Sequence, residues 1–386
     1  MSTRTTLDGA SLGRPADGHQ AIRSVSQSGR LGQVRAWLWF VALLILLMVV
    51  VGGATRLTES GLSITEWKPI SGIIPPLTAD AWQAEFERYK TIPQYARVFP
   101  DMDVEGFKSI FYWEWSHRLL GRIIGFAVAL PLAYFWLTGA LTRNLKIKLV
   151  GLLALGGMQG VIGWLMVKSG LVDRTEVSQY LLALHLLVAS VTLALSVWFA
   201  ESLRTSSSSS LVPDRIRRSA TVLIGLVFVQ IGLGALVAGL RAGKIYNSWP
   251  LMGDHLVPPS SELWFQSPLW RNIFENATTA QFDHRLMAYL LLIAAVGHAV
   301  DCARTLPGQP ASRTALALAL LIACQAVIGI TTLVWAVPLD AALAHQAFAM
   351  VVLGAAVLHR CWLQPKAVSS LTVAASRPSL SRRAAA

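Results

Sequence analysis

Four histidines sit in apolar surroundings at matched places. Glu114-Trp115-Ser116-His117-Arg118 and Gln281-Phe282-Asp283-His284-Arg285 each open a long apolar stretch. A second histidine follows each of them near the start of another such stretch, His185 after 68 residues and His345 after 61. An imidazole in a hydrophobic helix needs a partner, because lipid offers its polar atoms none. Two imidazoles on opposite faces of a planar macrocycle make six-coordinate iron, and haem iron commonly takes His as a ligand. Two matched pairs therefore suggest a duplicated bundle that holds two haems. Zinc fits less well, since no third and fourth ligand of the expected type accompanies either pair. The blander alternative, a hydrogen bond from each histidine to a neighbouring helix, does not explain the match.

Only the first copy carries a carboxylate near its histidine. Residues i and i+3 share a helix face, so Glu114 would lie beside the His117 site; the second copy has Gln281, similar in shape but unable to ionise. A carboxyl beside an apolar macrocycle suits proton exchange. The contrast suggests proton-coupled chemistry at the first site and electron transfer alone at the second. Asp283 has no acidic equivalent, Ser116 standing in the first copy, and its role stays open. Arg118 and Arg285 follow the two histidines directly, and Arg is the best bidentate partner for a haem propionate. Arg122 and Arg56 are weaker candidates for that role. The alternative for all four is an arginine snorkelling to the interface.

Two further histidines repeat a different spacing. His298 is 14 residues after His284, and His359 is 14 after His345. Four helical turns place each couple on one face, about 21 Å apart, which is a spacing that a third haem would use. The first copy has Pro131 and Phe199 there instead, and simple solvation at the cytoplasmic edge is the alternative. His19 and His255 read as solvated. Cys302, Cys324 and Cys361 lie within the helices or on their cytoplasmic side, so neither a disulfide on an oxidising face nor a thiolate metal site is expected.

Those side chains need helices to position them. Hydrophobic residues make up 54% of the 386-residue chain and charged ones 14%. Runs of about 20 apolar residues cross the hydrocarbon layer as helices, and spans are expected near 34–53, 117–139, 147–167, 178–200, 218–240, 282–301, 313–335 and 338–359. The fold class is all-α integral membrane. Eight spans put both termini on one side, and the formal net charge of +12 gathers on that side. The Lys/Arg bias of short loops makes that side cytoplasmic, or the matrix of an organelle. Basic residues spread over several short loops do not indicate nucleic-acid binding. The bacterial inner membrane is preferred over the mitochondrial one, given a short polar N-terminal stretch without an apolar signal core, in which Asp8 and Asp17 weigh against a transit peptide.

The poly-Ser run Ser206 to Ser210 is flexible and marks a seam. Gly53-Ala54, Trp67, Pro69 and Pro75-Pro76 precede the first His-Arg; Gly234-Ala235, Trp249, Pro250 and Pro258-Pro259 precede the second. Gln159-Gly160-Val161-Ile162-Gly163 is echoed by Gln325-Ala326-Val327-Ile328-Gly329. Four helices per copy is an even number, so the copies are parallel repeats about an axis along the membrane normal. The chain is thus expected as two pseudo-symmetric four-helix bundles, with cofactors in their cores. The expected division is a tail at 1–33, a first bundle at 34–200, a linker at 201–217, a second bundle at 218–362 and a tail at 363–386. The long loop at about 54–116, with a helix over Asp80 to Tyr89 and Thr78 as its cap, reads as a lid. A shorter cover at about 241–281 serves the second copy.

Thr55-Arg56-Leu57-Thr58-Glu59-Ser60-Gly61-Leu62-Ser63, Trp67-Lys68-Pro69 and Glu114-Trp115-Ser116-His117-Arg118 resemble the haem A synthase family, over about residues 34–362. The resemblance implies oxidation of the C8 methyl group of haem O to a formyl group, giving haem A for cytochrome oxidase. Carried over by position, it makes His117 and His185 ligands of haem O, with Glu114 required for the chemistry. His284 and His345 become ligands of a haem b cofactor. It also implies haem O synthase and cytochrome oxidase assembly factors as partners, and haem O entry from membrane lipid. Some members have a cysteine pair in the first outer loop, which this chain lacks, so it is similar to the cysteine-free alphaproteobacterial or mitochondrial type. Two other classes are weighed: a quinol-linked b-type electron carrier, in which His298 and His359 bind a further haem, and a haem chaperone without chemistry. Whether the chain forms a homo-oligomer is open at this stage.

Overall fold

The computed structural model describes residues 16–68, 70–171, 175–204 and 212–364. The poly-Ser seam, Pro69, the side chain of His19, residues 1–15 and nearly all of the C-terminal tail lie outside them. The chain is all-α. Its helices are α1 (Ala16–Leu57), α2 (Ala79–Lys90), α3 (Pro93–Val98), α4 (Val104–Leu137), α5 (Arg143–Gly170) and α6 (Gln179–Ser202). They continue as α7 (Asp214–Gly239), α8 (Ser260–Leu263), α9 (Arg271–Glu275), α10 (Ala277–Thr305), α11 (Pro310–Val334) and α12 (Leu339–Trp362). Eight of these, α1, α4, α5, α6, α7, α10, α11 and α12, are long and apolar enough to cross a membrane. The protein is a multi-pass membrane protein.

Helix starts follow local chemistry. Asp103 caps α4 by accepting from the Gly106 N–H at 2.8 Å, and Asn276 caps α10 by accepting from Thr278 N–H at 3.0 Å. Pro310 opens α11, where its missing N–H costs nothing. Two helices begin earlier than hydropathy predicts. α1 starts at Ala16, inside the stretch read as a tail, since no proline interrupts residues 16–57. α4 starts at Val104 because its first turns bury Phe107, Ile110 and Phe111 against the outer loop, where no lipid demands an apolar surface.

The neighbour relations are simple. α1 touches α4, α4 touches α5, α5 touches α6, and α6 returns to α1. α7, α10, α11 and α12 close a second ring in the same order. The rings meet where α6 packs on α7 and α12, and where α1 packs on α12. One apolar core runs through both, with Leu38, Leu149, Ile216, Leu223 and Leu353 fully buried. At one end Glu201 draws three helices together. It pairs with Arg35 of α1 at 3.3 Å and accepts from Trp362 Nε1 of α12 at 2.9 Å.

The first outer loop has a core of its own. Trp82, Phe86 and Tyr89 of α2 interlock with Phe107 and Phe111 of α4, and Thr78 caps α2 as expected. Arg241 of the second cover pairs with Glu59 of the first at 2.9 Å and with Glu176, between α5 and α6, at 2.6 Å. In the first cover Lys68 sits 2.5 Å from Glu66, whose carboxyl it holds below the usual carboxylate range.

Candidate functional site

The four intramembrane histidines lie on α4, α6, α10 and α12, and each faces a glycine on the helix beside it. A Cβ built on Gly52 of α1 would stand 3.0 Å from His117, and one on Gly234 of α7 3.0 Å from His284. The corresponding distances are 3.4 Å from Gly163 of α5 to His185 and 2.6 Å from Gly329 of α11 to His345. Glycine is what lets the backbone approach an imidazole that closely. One turn earlier, three of these helices carry a glutamine. Gln159 donates to the His185 carbonyl at 3.0 Å, and Gln325 to the His345 carbonyl at 3.0 Å. Gln230 donates to the His284 carbonyl at 3.2 Å. The amides of Gln230 and Gln325 also stand 3.1 Å from the ring Nδ1 of their histidines. α1 has Met48 at that register. The repeated Gln-x-x-x-Gly pattern was visible in the sequence, but nothing there tied it to the histidines; the signal was that each glutamine precedes its glycine by four residues, one helical turn.

The spacing of the second pair suits a metal between two imidazoles. His284 and His345 have ring centres 6.4 Å apart and planes at 82°. Two metal–nitrogen bonds of roughly 2 Å, plus about 1 Å from each nitrogen to its ring centre, give about 6 Å. The His185 Nδ1 atom is buried with no hydrogen-bond partner among the described residues. A buried imidazole nitrogen left unpaired is costly, and a ligand bond would use it. The donor sets therefore fit haem.

Glu114 and Gln281 do the same structural work with opposite polarity. Glu114 is 3% exposed. One of its oxygens accepts from Ser63 Oγ and the Ile64 N–H, both at 2.8 Å, and the other pairs with Arg118, whose Nε lies 3.0 Å away. Gln281, 2% exposed, donates to the carbonyls of Ala242 at 2.9 Å and Tyr246 at 3.2 Å, while its oxygen accepts from Arg285 at 3.3 Å. A carboxylate accepts only, so it gathers donors from the cover; an amide also donates, so it holds carbonyls. Both tie the cover to the helix that carries the first histidine.

The arginines lean on backbone carbonyls. Arg118 donates to Ile64 at 2.8 Å and Glu66 at 3.1 Å; Arg285 donates to Tyr246 at 3.0 Å and Leu251 at 3.2 Å. Arg122 donates to Lys68 at 2.9 Å, and Arg56 reaches across to the Ala238 carbonyl of α7. Gly53 and Val49 of α1 border Gln346, the residue after His345, whose amide donates to the Val49 carbonyl at 2.8 Å. α1 thus touches His117 through Gly52 and the neighbour of His345 through Gly53.

At the other end of the second ring one open alternative is settled and one expectation is corrected. Nε2 of His298 and Nε2 of His359 are 2.8 Å apart, which leaves no room for a macrocycle between them. A third haem on this couple is ruled out by that contact. Cys302 joins them, its Sγ 3.5 Å from His298 Nε2, in a fully buried His-Cys-His cluster. The chain is therefore not of a cysteine-free type, and a thiol does stand among metal-ligand atoms. Spacing along the chain missed it because one member comes from another helix.

Comparison with known proteins agrees with this architecture. The family model described as cytochrome oxidase assembly protein matches residues 35–357. The chain is 54% identical over 358 residues to the protein named heme A synthase of Beijerinckia indica, covering 92% of this chain and 98% of that one. It is 57% identical over 326 residues to the heme A synthase of Azorhizobium caulinodans, covering 84% and 93%. With that of Agrobacterium fabrum it shares 53% identity over 339 residues, covering 88% and 92%. With the matched region reaching every membrane helix and including all four facing histidines, the chain belongs to the cytochrome oxidase assembly protein family that includes the heme A synthases.

Proposed function

We propose that this chain is a haem A synthase, an oxidoreductase that converts the C8 methyl group of haem O to a formyl group and so supplies haem A for cytochrome oxidase. The two rings of helices act as pseudo-symmetric four-helix bundles, expected from the sequence as 34–200 and 218–362, with α6 running on to Ser202 and α7 beginning at Asp214. His117 and His185 hold haem O as substrate; His284 and His345 hold haem b as cofactor. When bound, haem b supplies one-electron redox chemistry. The rest is done by side chains. The glycines let each helix pair close on an imidazole, and Gln230 and Gln325 hold the haem b ligands by donating to the backbone carbonyls of His284 and His345. Met48 leaves His117 without such an amide, which suits a ligand that must accept and release substrate. Glu114 holds the cover shut over the first site through Ser63 and Ile64. It is also the ionisable group that takes a proton as the methyl carbon is oxidised. Arg118 and Arg285, each next to a histidine ligand, would be the partners of the haem propionates. Both termini face the cytoplasm, and haem O synthase with cytochrome oxidase assembly factors are the partners.

The Glu114/Gln281 difference between otherwise matched sites carries this reading. An electron carrier needs no such difference, and its further haem has no space at His298 and His359. The test is to express the full chain in a membrane supplied with haem O, extract the pigment and analyse it by mass. A formyl product is expected. Recovery of unaltered haem O alone would favour a chaperone and end the proposal.

A further inference from the structure

The end of the second bundle opposite the covers holds polar groups that the haem chemistry does not use. His298 and His359 point Nε2 at each other, Cys302 lies one turn below His298, and the three are 4%, 2% and 0% exposed. Each outer ring nitrogen is held: Ser219 Oγ is 2.8 Å from Nδ1 of His298, and Thr314 Oγ1 is 2.8 Å from Nδ1 of His359. Every helix of the ring contributes, α7 with Ser219, α10 with His298 and Cys302, α11 with Thr314 and α12 with His359. Hydroxyls that fix the far nitrogen and aim the near one are the outer arrangement that metal-ligating histidines use.

The first bundle shows that folding does not need these groups. Register set by the four matched histidines and the glycines they face makes Trp37, Pro131, Phe135, Lys148 and Phe199 the counterparts of Ser219, His298, Cys302, Thr314 and His359. Trp37 packs on Phe135 with ring centres 5.6 Å apart, and Lys148 lies over Phe199. Aromatic rings with a lysine over one of them fill that end of one bundle; two imidazoles and a thiol occupy the same place in the other.

We propose that His298, Cys302 and His359 form a buried binding site for a single Cu(I) ion. Thiolate and imidazole together select soft cations such as Cu(I) and Zn(II). Structural zinc almost always takes four ligands, whereas this cluster offers three. Charge decides in the same direction. Cys302 loses its thiol proton on binding, and thiolate with Cu(I) is neutral, while Zn(II) would leave a net positive charge in a dry site. The ligand atoms lie within 4.8 Å of one another. Two imidazoles around one ion at about 2 Å each stand a little over 3 Å apart, so the rings part slightly on loading. Without metal the two Nε2 atoms stand 2.8 Å apart, at hydrogen-bond distance.

The full-length protein, purified in detergent, is loaded anaerobically with Cu(I) against bicinchoninate as competitor, and in parallel with Zn(II). One copper per chain beyond haem iron is expected, with one sulfur and two nitrogens in its X-ray absorption spectrum. Cys302→Ser and His359→Gln should each lower retention at least about tenfold, and Thr314→Val should weaken affinity by roughly 10–100-fold. An unchanged low-spin haem spectrum shows that these variants fold. Zinc retained in preference, copper retained equally by Cys302→Ser, or wild-type copper lacking a sulfur ligand would overturn the proposal.

Discussion

Replacing Glu114 by glutamine is expected to leave haem content unchanged and to lower haem A formation by roughly 10²–10⁴-fold, the range of a lost general acid–base group. The substitution keeps size and loses charge. A glutamine there can still accept from Ser63 or Ile64 with its one oxygen, as Gln281 accepts from Arg285 in the second site. Arg118 keeps its contacts with the carbonyls of Ile64 and Glu66, so its charge is not left bare. The cover therefore stays docked while the proton-exchanging group is gone. Glu114→Asp serves as the foil: it keeps ionisation but withdraws the carboxylate from its three donors, and partial activity is expected. Pigment analysis beside a reduced-minus-oxidised spectrum checks both variants. Full product yield from Glu114→Gln would refute the role of the acid.

The second large effect is steric. Gly329→Ala places a methyl 2.6 Å from the ring of His345, closer than real side chains approach. The imidazole must swing away, and with it the ligand that Gln325 orients. Overpacking of this kind costs roughly 1–3 kcal/mol, which at about 1.4 kcal/mol per decade is a loss of roughly five- to 140-fold in haem affinity at the second site. Gly354→Ala on α12 is the control, since a Cβ there meets nothing within 4 Å. Haem titration of the two purified variants should separate them. Equal affinities would mean that the glycine cradle has no part in holding His345.

What could be read from the chain was whatever lipid makes conspicuous. Histidine, arginine and a lone carboxylate inside apolar runs announce themselves, because each is expensive there and needs a purpose. The eight membrane helices and the Glu114/Gln281 contrast were legible for that reason. The supporting residues were not. Gln159, Gln230 and Gln325 are ordinary in a helix, and only the contact between neighbouring helices turns them into histidine partners. Helix α4 was expected to start near His117, since its outer turns are too polar to read as a span; their apolar face packs on α2 instead of on lipid. Cys302 was passed over because its partner His359 lies 57 residues away along the chain. His298 and His359, spaced for a haem along their helices, proved to meet each other across the bundle.

Unequal sites in matching bundles can be tested by removing one pair of ligands at a time. The chain carrying His117→Ala with His185→Ala, and the chain carrying His284→Ala with His345→Ala, would be purified from membranes supplied with haem O. Their porphyrins would be counted and weighed. Each should lose about one of two haems by this two-site scheme: the first should keep only haem b, the second only unconverted haem O, and neither should contain haem A. Undiminished iron-porphyrin in either protein, or formyl product from either, would contradict it.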